Sequence, residues 1–220
     1  MNTKVHEDKS GLKSVISIPS VYNIVQLVAG ARMYRTRMVQ NYIKPFEGCR
    51  ILDIGCGTGE YVEFLDKACT DYEYVGFDAE DAYIESARKN YADRPKLQFF
   101  ARLLTEDAIQ ELGGFDIVTA IGVMHHMDDA LVLSLLRLAK SALKPAGRFI
   151  TYDPGAFIDM NPIERFFVRH DRGRNIRSPE HYDTLVSEVF SKRERHEPSL
   201  TYYPTRNVVF VCEQSAPYPA

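Results

Sequence analysis

The chain has 220 residues, of which 45% are hydrophobic and 26% are charged, and its formal net charge is −3. This composition is typical of one folded domain with a sizeable core, and it excludes intrinsic disorder. A nearly neutral, slightly acidic chain is also a poor candidate for binding nucleic acid through its overall charge.

Residues 21–42 are the first element in chain order, and their mostly helical pattern predicts a cover outside any sheet. Five short apolar strands then alternate with helices. These strands are predicted at residues 50–54, 74–77, 97–100, 115–121 and 148–152. The helices between them are predicted at residues 60–69, 81–91, 106–111 and 130–143, and Asp128 or Asp129 would cap the last one.

The last third of the chain has a different pattern. Asn161 is predicted to cap a helix that Gly173 closes, and a second helix is predicted from Ser178 to about residue 190. Two further strands, which would join the sheet edge in antiparallel fashion, are predicted at residues 192–196 and 207–212.

Strands that alternate with helices predict an α/β fold with a doubly wound, mostly parallel sheet. We expect a single domain over residues 1–220. Its parts would be a helical N-terminal cover, a cofactor-binding core and a substrate-side segment with the last strands, at residues 1–45, 46–153 and 154–220. Such sheets bind ligands beyond the carboxyl ends of their strands.

Signals for secretion, membrane insertion and zinc binding do not occur in the sequence. The polar first residues lack the apolar segment of a signal peptide, and the apolar stretch at residues 15–31 is interrupted by polar residues and proline. The four cysteines form no C-x-x-C pair. We therefore expect a cytoplasmic protein without a membrane span.

The sharpest signal is a glycine-rich turn, LDIGCGTG, that follows the first predicted strand. Glycines permit positive φ and let a ligand lie against bare backbone. A dinucleotide-binding turn requires G-x-G-x-x-G, whereas Glu60 follows Gly59 here. The carboxylates of Asp53 and Glu60 would repel a pyrophosphate, so the turn favours a ligand that carries positive charge and a single carboxylate.

Asp78 follows the second predicted strand, about 20 residues after the glycine turn. An acid at this place accepts hydrogen bonds from both hydroxyls of a ribose. The turn and the acid together predict an adenosine-type cofactor. The absence of a G-x-x-x-x-G-K-[ST] motif argues against ATP hydrolysis.

Four segments together resemble the class I S-adenosylmethionine-dependent methyltransferases. They are LDIGCGTG, the acid in YVGFDA, FDIVTAIGVMHHM and LKPAGRFI, and the resemblance covers about residues 21–152. It implies a Rossmann-like enzyme with seven strands that uses S-adenosyl-L-methionine and releases S-adenosyl-L-homocysteine.

The resemblance implies that the glycine turn holds the methionine end of the cofactor. Asp53 would lie near the ammonium group, often through water, and Ile121 would offer backbone to the same group. The other residues of this part of the site would be Gly55, Cys56 and Gly57.

On the nucleoside side, the resemblance implies that Asp78 binds the ribose hydroxyls and that Ala79 lies against adenine. Many family members carry an acid after the third strand that accepts the adenine amino group. Arg102 or Ala101 stands there in this chain, which leaves recognition of adenine to backbone groups of Leu103.

His125 and His126 follow the fourth predicted strand and are the candidate catalytic residues. A hydroxyl acceptor needs a base, and a histidine has a suitable pKa near neutral pH. The alternative is that one histidine packs against the next helix while the other faces solvent. Related quinone O-methyltransferases carry metal-binding carboxylates in this element, but Gly122 and His125 stand in their places, so we expect no metal.

Tyr22 and Tyr152 are candidates for contact with the acceptor. The run of Tyr22-Asn23, Gly30 and Arg35 resembles the quinone-biosynthesis C-methyltransferases, which would place Tyr22 near the methionine end of the cofactor. Tyr152 would end the fifth strand on the substrate side, together with Asp153. The sequence Asp153-Pro154-Gly155, however, favours a simple turn at this point.

Arg169 is the third candidate for acceptor contact. Together with Arg165 and Arg172 it has the spacing of one helical face, which could hold a carboxylate or a phosphate. A solvated basic surface, balanced by Glu164 and Asp171, is the interpretation that we favour.

We interpret the chain as a methyltransferase that acts on an oxygen or nitrogen, or else a carbon, of a small molecule. The acceptor would contact residues 154–198, and no nucleic acid partner is expected. Two alternatives are an acceptor bound to a protein or carrier and a domain that binds the cofactor without catalysis. A nicotinamide-dependent oxidoreductase is disfavoured by Glu60.

Overall fold

The computed structural model describes residues 31–198 and 205–214. Tyr22, Asn23 and Gly30 lie outside these residues, as does most of the predicted N-terminal cover. The described strands are β1 (Cys49–Ile54), β2 (Tyr72–Asp78), β3 (Leu97–Ala101), β4 (Phe115–Ile121), β5 (Leu143–Pro154), β6 (Arg193–His196) and β7 (Asn207–Glu213).

Helices separate most of these strands. They are α1 (Ala31–Met38), α2 (Val62–Leu65), α3 (Asp81–Asn90), α4 (Glu106–Leu112), α5 (Asp129–Ala142), α6 (Pro162–His170) and α7 (Pro179–Val189). A π-helical turn, Val39–Ile43, follows α1, and a short 3-10 turn, Met124–His126, follows β4.

The seven strands form one sheet in the order β3-β2-β1-β4-β5-β7-β6. The pairs among β1 to β5 are parallel, whereas β7 is antiparallel to both β5 and β6. The predicted α/β class and the antiparallel C-terminal pair are therefore confirmed. The strand order reverses between β1 and β4, and α/β sheets bind ligands at such a switch point.

Both faces of the sheet are buried beneath helices. Because successive residues of a strand point to opposite sides, neighbouring residues belong to different apolar clusters. Ile51 belongs to an apolar cluster that includes residues of α1, α2 and α3. Leu52 belongs to the other cluster, with residues of α4, α5 and α7. This burial holds the carboxyl ends of β1, β2, β4 and β5 in place, and the candidate site lies at those ends.

Two local predictions at the substrate side are wrong. Asp153 lies within β5, paired with Val208 of β7, and does not form a turn. Helix α6 ends at His170 because Asp171 is extended, with φ −63° and ψ 148°. Arg172 therefore lies beyond the helix and does not share a helical face with Arg165.

None of the helices in the described ranges combines the length and the hydropathy that a membrane-spanning helix requires.

Candidate active site

The glycine-rich turn after β1 is held against β2. The backbone N–H groups of Gly55 and Cys56 both donate to the carbonyl oxygen of Phe77, at 2.7 and 3.0 Å. Gly57 has φ +54°, and a Cβ atom placed on it would have no neighbour within 4 Å. The turn thus offers exposed backbone on which a ligand can lie, as a cofactor-binding turn requires.

Gly55 brings this turn into contact with the turn after β4. A Cβ atom on Gly55 would lie 2.5 Å from Cγ2 of Val123, and its φ is +77°. Only glycine permits this approach without strain. The expected cofactor turn and the turn that carries both histidines are therefore packed against each other.

Asp78, the last residue of β2, lies beside the glycine turn and is half-buried. Its Oδ2 accepts a hydrogen bond from the backbone N–H of Gly57, and its Oδ1 accepts one from Glu80, both at 2.9 Å. Each carboxylate oxygen keeps a further lone pair. The position next to the open backbone fits a group that binds ribose hydroxyls.

Asp53 lies beneath the turn, with 3% of its surface exposed. The hydroxyl of Tyr74 donates to its Oδ2 at 2.6 Å, and that of Thr119 donates to its Oδ1 at 2.8 Å. Burial raises the pKa of Asp53 to about 6, against these two hydrogen bonds. The carboxylate acts on the site from below as a buried negative charge, which a cationic ligand would stabilise.

Cys56 is also buried, and burial together with the charges of Asp53 and Asp78 raises the pKa of its thiol. The cysteine therefore stays neutral and contributes its backbone and its volume to the turn. Ile121, at the end of β4, is half-buried and pairs with Tyr152 of β5.

The surface expected to bind adenine is apolar and open. Ala79 is exposed, and Leu103 is 69% exposed. The ends of β2 and β3 that lead to these residues pair in register, with Asp78 opposite Ala101. Arg102 places its guanidinium 5.5 Å from the ring centroid of Phe100. The exposed apolar groups fit a flat heteroaromatic ring.

Glu60 does not present the free negative charge that the sequence argument assumed. Its carboxylate forms an ion pair with Arg35 of α1. Repulsion of a pyrophosphate would therefore come from Asp53 and Asp78 instead. The same ion pair connects α1 with the residues just before α2.

His125 lies in the turn after β4 and is 6% exposed. Its backbone N–H donates to Oδ1 of Asp153 at 3.0 Å, and its Nδ1 lies 2.7 Å from the same oxygen. The hydroxyl of Thr151 donates to Oδ2 of Asp153 at 3.2 Å. The sequence placed Asp153 at the carboxyl end of the fifth strand but favoured a simple turn there, and its contact with His125 was not predicted.

The other edge of the His125 ring faces the segment after α6. Its Nε2 lies 3.4 Å from Oδ1 of Asp171. Burial lowers the pKa of His125, but the hydrogen bond to Asp153 and the charges of both aspartates outweigh it and raise the pKa above its ordinary value. His125 is therefore a buried histidine between two carboxylates.

His126 is exposed, and its ring centroid lies 4.0 Å from that of His125. Partial desolvation of the ring, together with the charge of His125, lowers its pKa to about 4. The two adjacent histidines thus differ in exposure and in the direction of their pKa shifts.

The candidate acceptor residues lie in different surroundings. Tyr152 is 6% exposed, and its ring lies 4.6 Å from that of Tyr34 in α1. Arg169 lies on the exposed side of α6, and no carboxylate within the described residues pairs with it.

Arg177 is a second residue whose role the sequence did not reveal. It is 6% exposed and donates to the carbonyl oxygens of Met124 and Met127, at 3.1 and 2.6 Å. It also forms an ion pair with Asp129 at 2.7 Å. This arginine fixes the turn that carries the histidines. No group of three or more His, Cys, Asp or Glu side chains in the described residues could hold a metal ion.

Comparison with known sequences finds its matches in the part of the chain that contains the glycine turn and the histidine turn. A family model described as a methyltransferase domain matches residues 52–149. The chain is 39% identical over 105 residues to the ubiquinone biosynthesis O-methyltransferase of Ruegeria pomeroyi, covering 47% of this chain and 40% of that protein. The corresponding protein of Cereibacter sphaeroides is 37% identical over 107 residues, which are 48% and 41% of the two chains. The chain thus spans about two fifths of the length of these curated relatives.

Solved structures share the fold over most of the chain. The S-adenosylmethionine-dependent methyltransferase SibL superposes with a TM-score of 0.68 and 18% identity, over 94% of this chain and 61% of that one. The pyocyanin biosynthetic protein PhzM gives the same TM-score and identity, over 92% and 62%. At this identity the likeness concerns the fold.

Proposed function

We propose, on the premise that residues 52–149 form a class I S-adenosylmethionine-dependent methyltransferase domain, that this protein transfers the cofactor's methyl group to an oxygen of a small-molecule acceptor. The observation that carries the proposal is the contact between Val123 and Gly55, because it places the histidine turn directly beside the open backbone of the glycine turn. The names of the curated relatives favour oxygen over nitrogen or carbon.

The residues present fit the cofactor. Asp78 would bind the ribose hydroxyls, and the open backbone at Gly57 would lie under the methionine end. Asp53 would supply negative potential to the ammonium group from below the turn. Ala79 and Leu103 would cover adenine with their exposed apolar surfaces. When bound, S-adenosyl-L-methionine supplies a methyl group on a positively charged sulfur.

The chain's own contribution to the chemistry is orientation and the handling of one proton. A hydroxyl that accepts a methyl group must lose its proton, and a neutral imidazole nitrogen can take it. His125 and His126 are the titratable side chains of the turn that contacts the glycine turn. A proton held on one of them would pass to solvent after product leaves.

Two other functions remain as alternatives to test. An acceptor bound to a protein or carrier would dock through exposed arginines such as Arg169, and its binding would weaken steeply with salt. A domain that binds the cofactor without catalysis would keep affinity for S-adenosyl-L-homocysteine and release no methyl group.

Methyl transfer from S-adenosyl-L-methionine with a labelled methyl group tests the proposal against a panel of phenols, catechols, sugars and amines. We expect label on hydroxyl compounds, and less of it from Asp78→Ala at a cofactor concentration that does not saturate this variant. Label on amines alone would contradict the oxygen assignment. Tight cofactor binding with no labelled product, from small molecules or from acidic carrier proteins, would support the non-catalytic alternative.

A further inference from the structure

We propose that His125 is a positioning residue that ties residues 171–175 to the turn Met124–His126, and that His126 is the histidine facing the acceptor. The sequence offers the two histidines as equivalent neighbours. Their tertiary contacts separate them. The first half of this inference is independent of the proposed methyl transfer, whereas the second half rests on it.

The ring of His125 has an acidic partner at each nitrogen. Nδ1 lies 2.7 Å from Asp153 and Nε2 lies 3.4 Å from Asp171. Ionised carboxylates only accept hydrogen bonds, so one carboxylate beside each nitrogen favours a ring that carries a hydrogen on both nitrogens. Such a ring has no lone pair with which to take a proton from an acceptor.

The backbone strengthens the same connection. The N–H of Asn175 donates to the carbonyl oxygen of His125 at 3.0 Å, and the N–H of Gly173 donates to Oδ1 of Asp171 at 2.6 Å. A Cβ atom on Gly173 would lie 2.0 Å from Cδ2 of His125. The segment therefore lies directly on the imidazole ring, and a glycine is needed at this contact.

Arg177 completes what we call the clamp, defined as Asp171, Gly173, Asn175 and Arg177. Its guanidinium donates to the carbonyl oxygens on both sides of the two histidines, those of Met124 and Met127. The clamp therefore holds the turn by its side chains and by its backbone. Covered in this way, His125 is not within reach of an acceptor.

His126 is left as the accessible histidine of the turn. Its side chain is exposed, and the clamp fixes the backbone on which it stands. Val123, three residues earlier, contacts Gly55 of the glycine turn. The turn that carries His126 therefore lies beside the glycine turn, and the His126 ring forms neither of the two carboxylate contacts that His125 makes.

The charged groups that face His125 come from three elements. Asp153 lies on β5, Asp171 and Arg177 lie on the segment around the clamp, and His126 lies on its own turn. The aspartates favour the protonated ring, whereas burial and Arg177 oppose it. Loss of the proton removes the ion pair with Asp171, so the clamp should loosen as the pH rises.

Carbethoxylation by diethyl pyrocarbonate, followed at each histidine by peptide mass spectrometry, tests the clamp, because the reagent modifies accessible neutral imidazoles. At pH 7 we expect His126 to react at least as fast as half-buried His196, and His125 to react about tenfold more slowly or slower still. Asp171→Asn should raise the rate at His125 about tenfold. Asp159→Asn, an exposed carboxylate paired with Arg206, is the matched control and should change nothing.

A rapid reaction of His125 in the unaltered protein would overturn the clamp, as would an unchanged rate in a folded Asp171→Asn variant. If that variant does not fold, NMR of the histidine ring nitrogens in the unaltered protein tests the clamp by showing which nitrogens of His125 carry a hydrogen. We expect His125 to carry hydrogens on both nitrogens at pH 6, below the ordinary histidine pKa, although the ring is buried. A single protonated nitrogen would overturn the proposal.

Saturating S-adenosyl-L-homocysteine tests the second half. We expect it to slow carbethoxylation of His126 about threefold or more while leaving His196 unaffected, because the cofactor and His126 would share one site. Unchanged modification of His126 with calorimetrically proven binding would overturn this assignment alone. No binding would contradict the proposed function and leave the clamp standing.

Discussion

The backbone N–H of Gly57 donates a hydrogen bond to Oδ2 of Asp78 at 2.9 Å. One carboxylate thus fixes the open glycine backbone and stands where a ribose would bind. We predict that Asp78→Ala weakens binding of S-adenosyl-L-homocysteine by about 10- to 100-fold, since a hydrogen bond to a charged group contributes about 1.5–3 kcal/mol. Calorimetry checks the value. Asp81→Ala, an exposed acid at the start of α3, is the control, and equal affinities for both variants would refute the ribose assignment.

Two glycines of the same turn should respond differently to alanine. Gly55→Ala places a methyl group 2.5 Å from Val123, whereas Gly57→Ala places one in open space. Both positions have positive φ, which costs an alanine about 1–2 kcal/mol. We expect Gly55→Ala to unfold at a clearly lower temperature than Gly57→Ala. Gly57→Ala should fold and bind S-adenosyl-L-homocysteine poorly, and near-normal affinity there would contradict contact between the cofactor and this backbone.

We predict that the buried carboxylate of Asp53 lowers the stability of the fold at neutral pH and strengthens cofactor binding. Its pKa is raised from 3.8 to about 6, so the folded state holds a proton that the unfolded state releases between these pH values. Stability from this group is present at low pH and is lost as the pH rises to about 6. We expect Asp53→Asn to stabilise the protein at pH 8 by up to about 3 kcal/mol.

The same variant should bind S-adenosyl-L-homocysteine more weakly than the unaltered protein at pH 8, because the negative charge beneath the ammonium site is gone. In the unaltered protein, affinity should fall as the pH drops below about 6 and Asp53 takes up a proton. Denaturant unfolding and calorimetry at both pH values measure the two effects. An affinity independent of both pH and the substitution would rule out the charge at Asp53 as a cofactor contact.

His125 predicts a pH dependence of stability in a different range. Its pKa is raised in the folded state, so its ion pairs stabilise the fold fully below the unfolded value of about 6.5 and are lost as the pH rises through the folded value. We expect the difference in unfolding free energy between the unaltered protein and His125→Asn to shrink from pH 6 to pH 9. His196→Asn, on the edge strand β6, is the control. A difference that grows with pH would contradict a protonated His125.

The strands of the sheet could be predicted from the sequence. Strands β1 to β4 are mainly apolar runs bounded by glycines or polar residues, and tertiary contacts do not change that local pattern. The turn predicted at Asp153-Pro154-Gly155 is wrong because Asp153 pairs with Val208 and Pro154 with Asn207, both in β7. This pairing depends on a strand that is distant in the sequence, so the local residue pattern does not predict it.

The site was predictable only in part. His125 and His126 are indistinguishable by residue type and position, and the contacts of Asp153 and Asp171 alone separate them. Tyr152 and Asp153 were both assigned to the substrate side, although neighbouring strand residues point to opposite faces. Asp153 accordingly meets His125, while Tyr152 packs against Tyr34 of α1.

In this proposal the glycine turn and Asp78 together bind an S-adenosyl cofactor. Calorimetric titration of the protein with S-adenosyl-L-homocysteine, and in parallel with NADH, tests it most directly. We predict binding with a dissociation constant of about 1–100 μM, equivalent to roughly 5–8 kcal/mol, for the first compound and none for NADH. Binding of NADH alone would contradict the account and assign the turn to a dinucleotide instead.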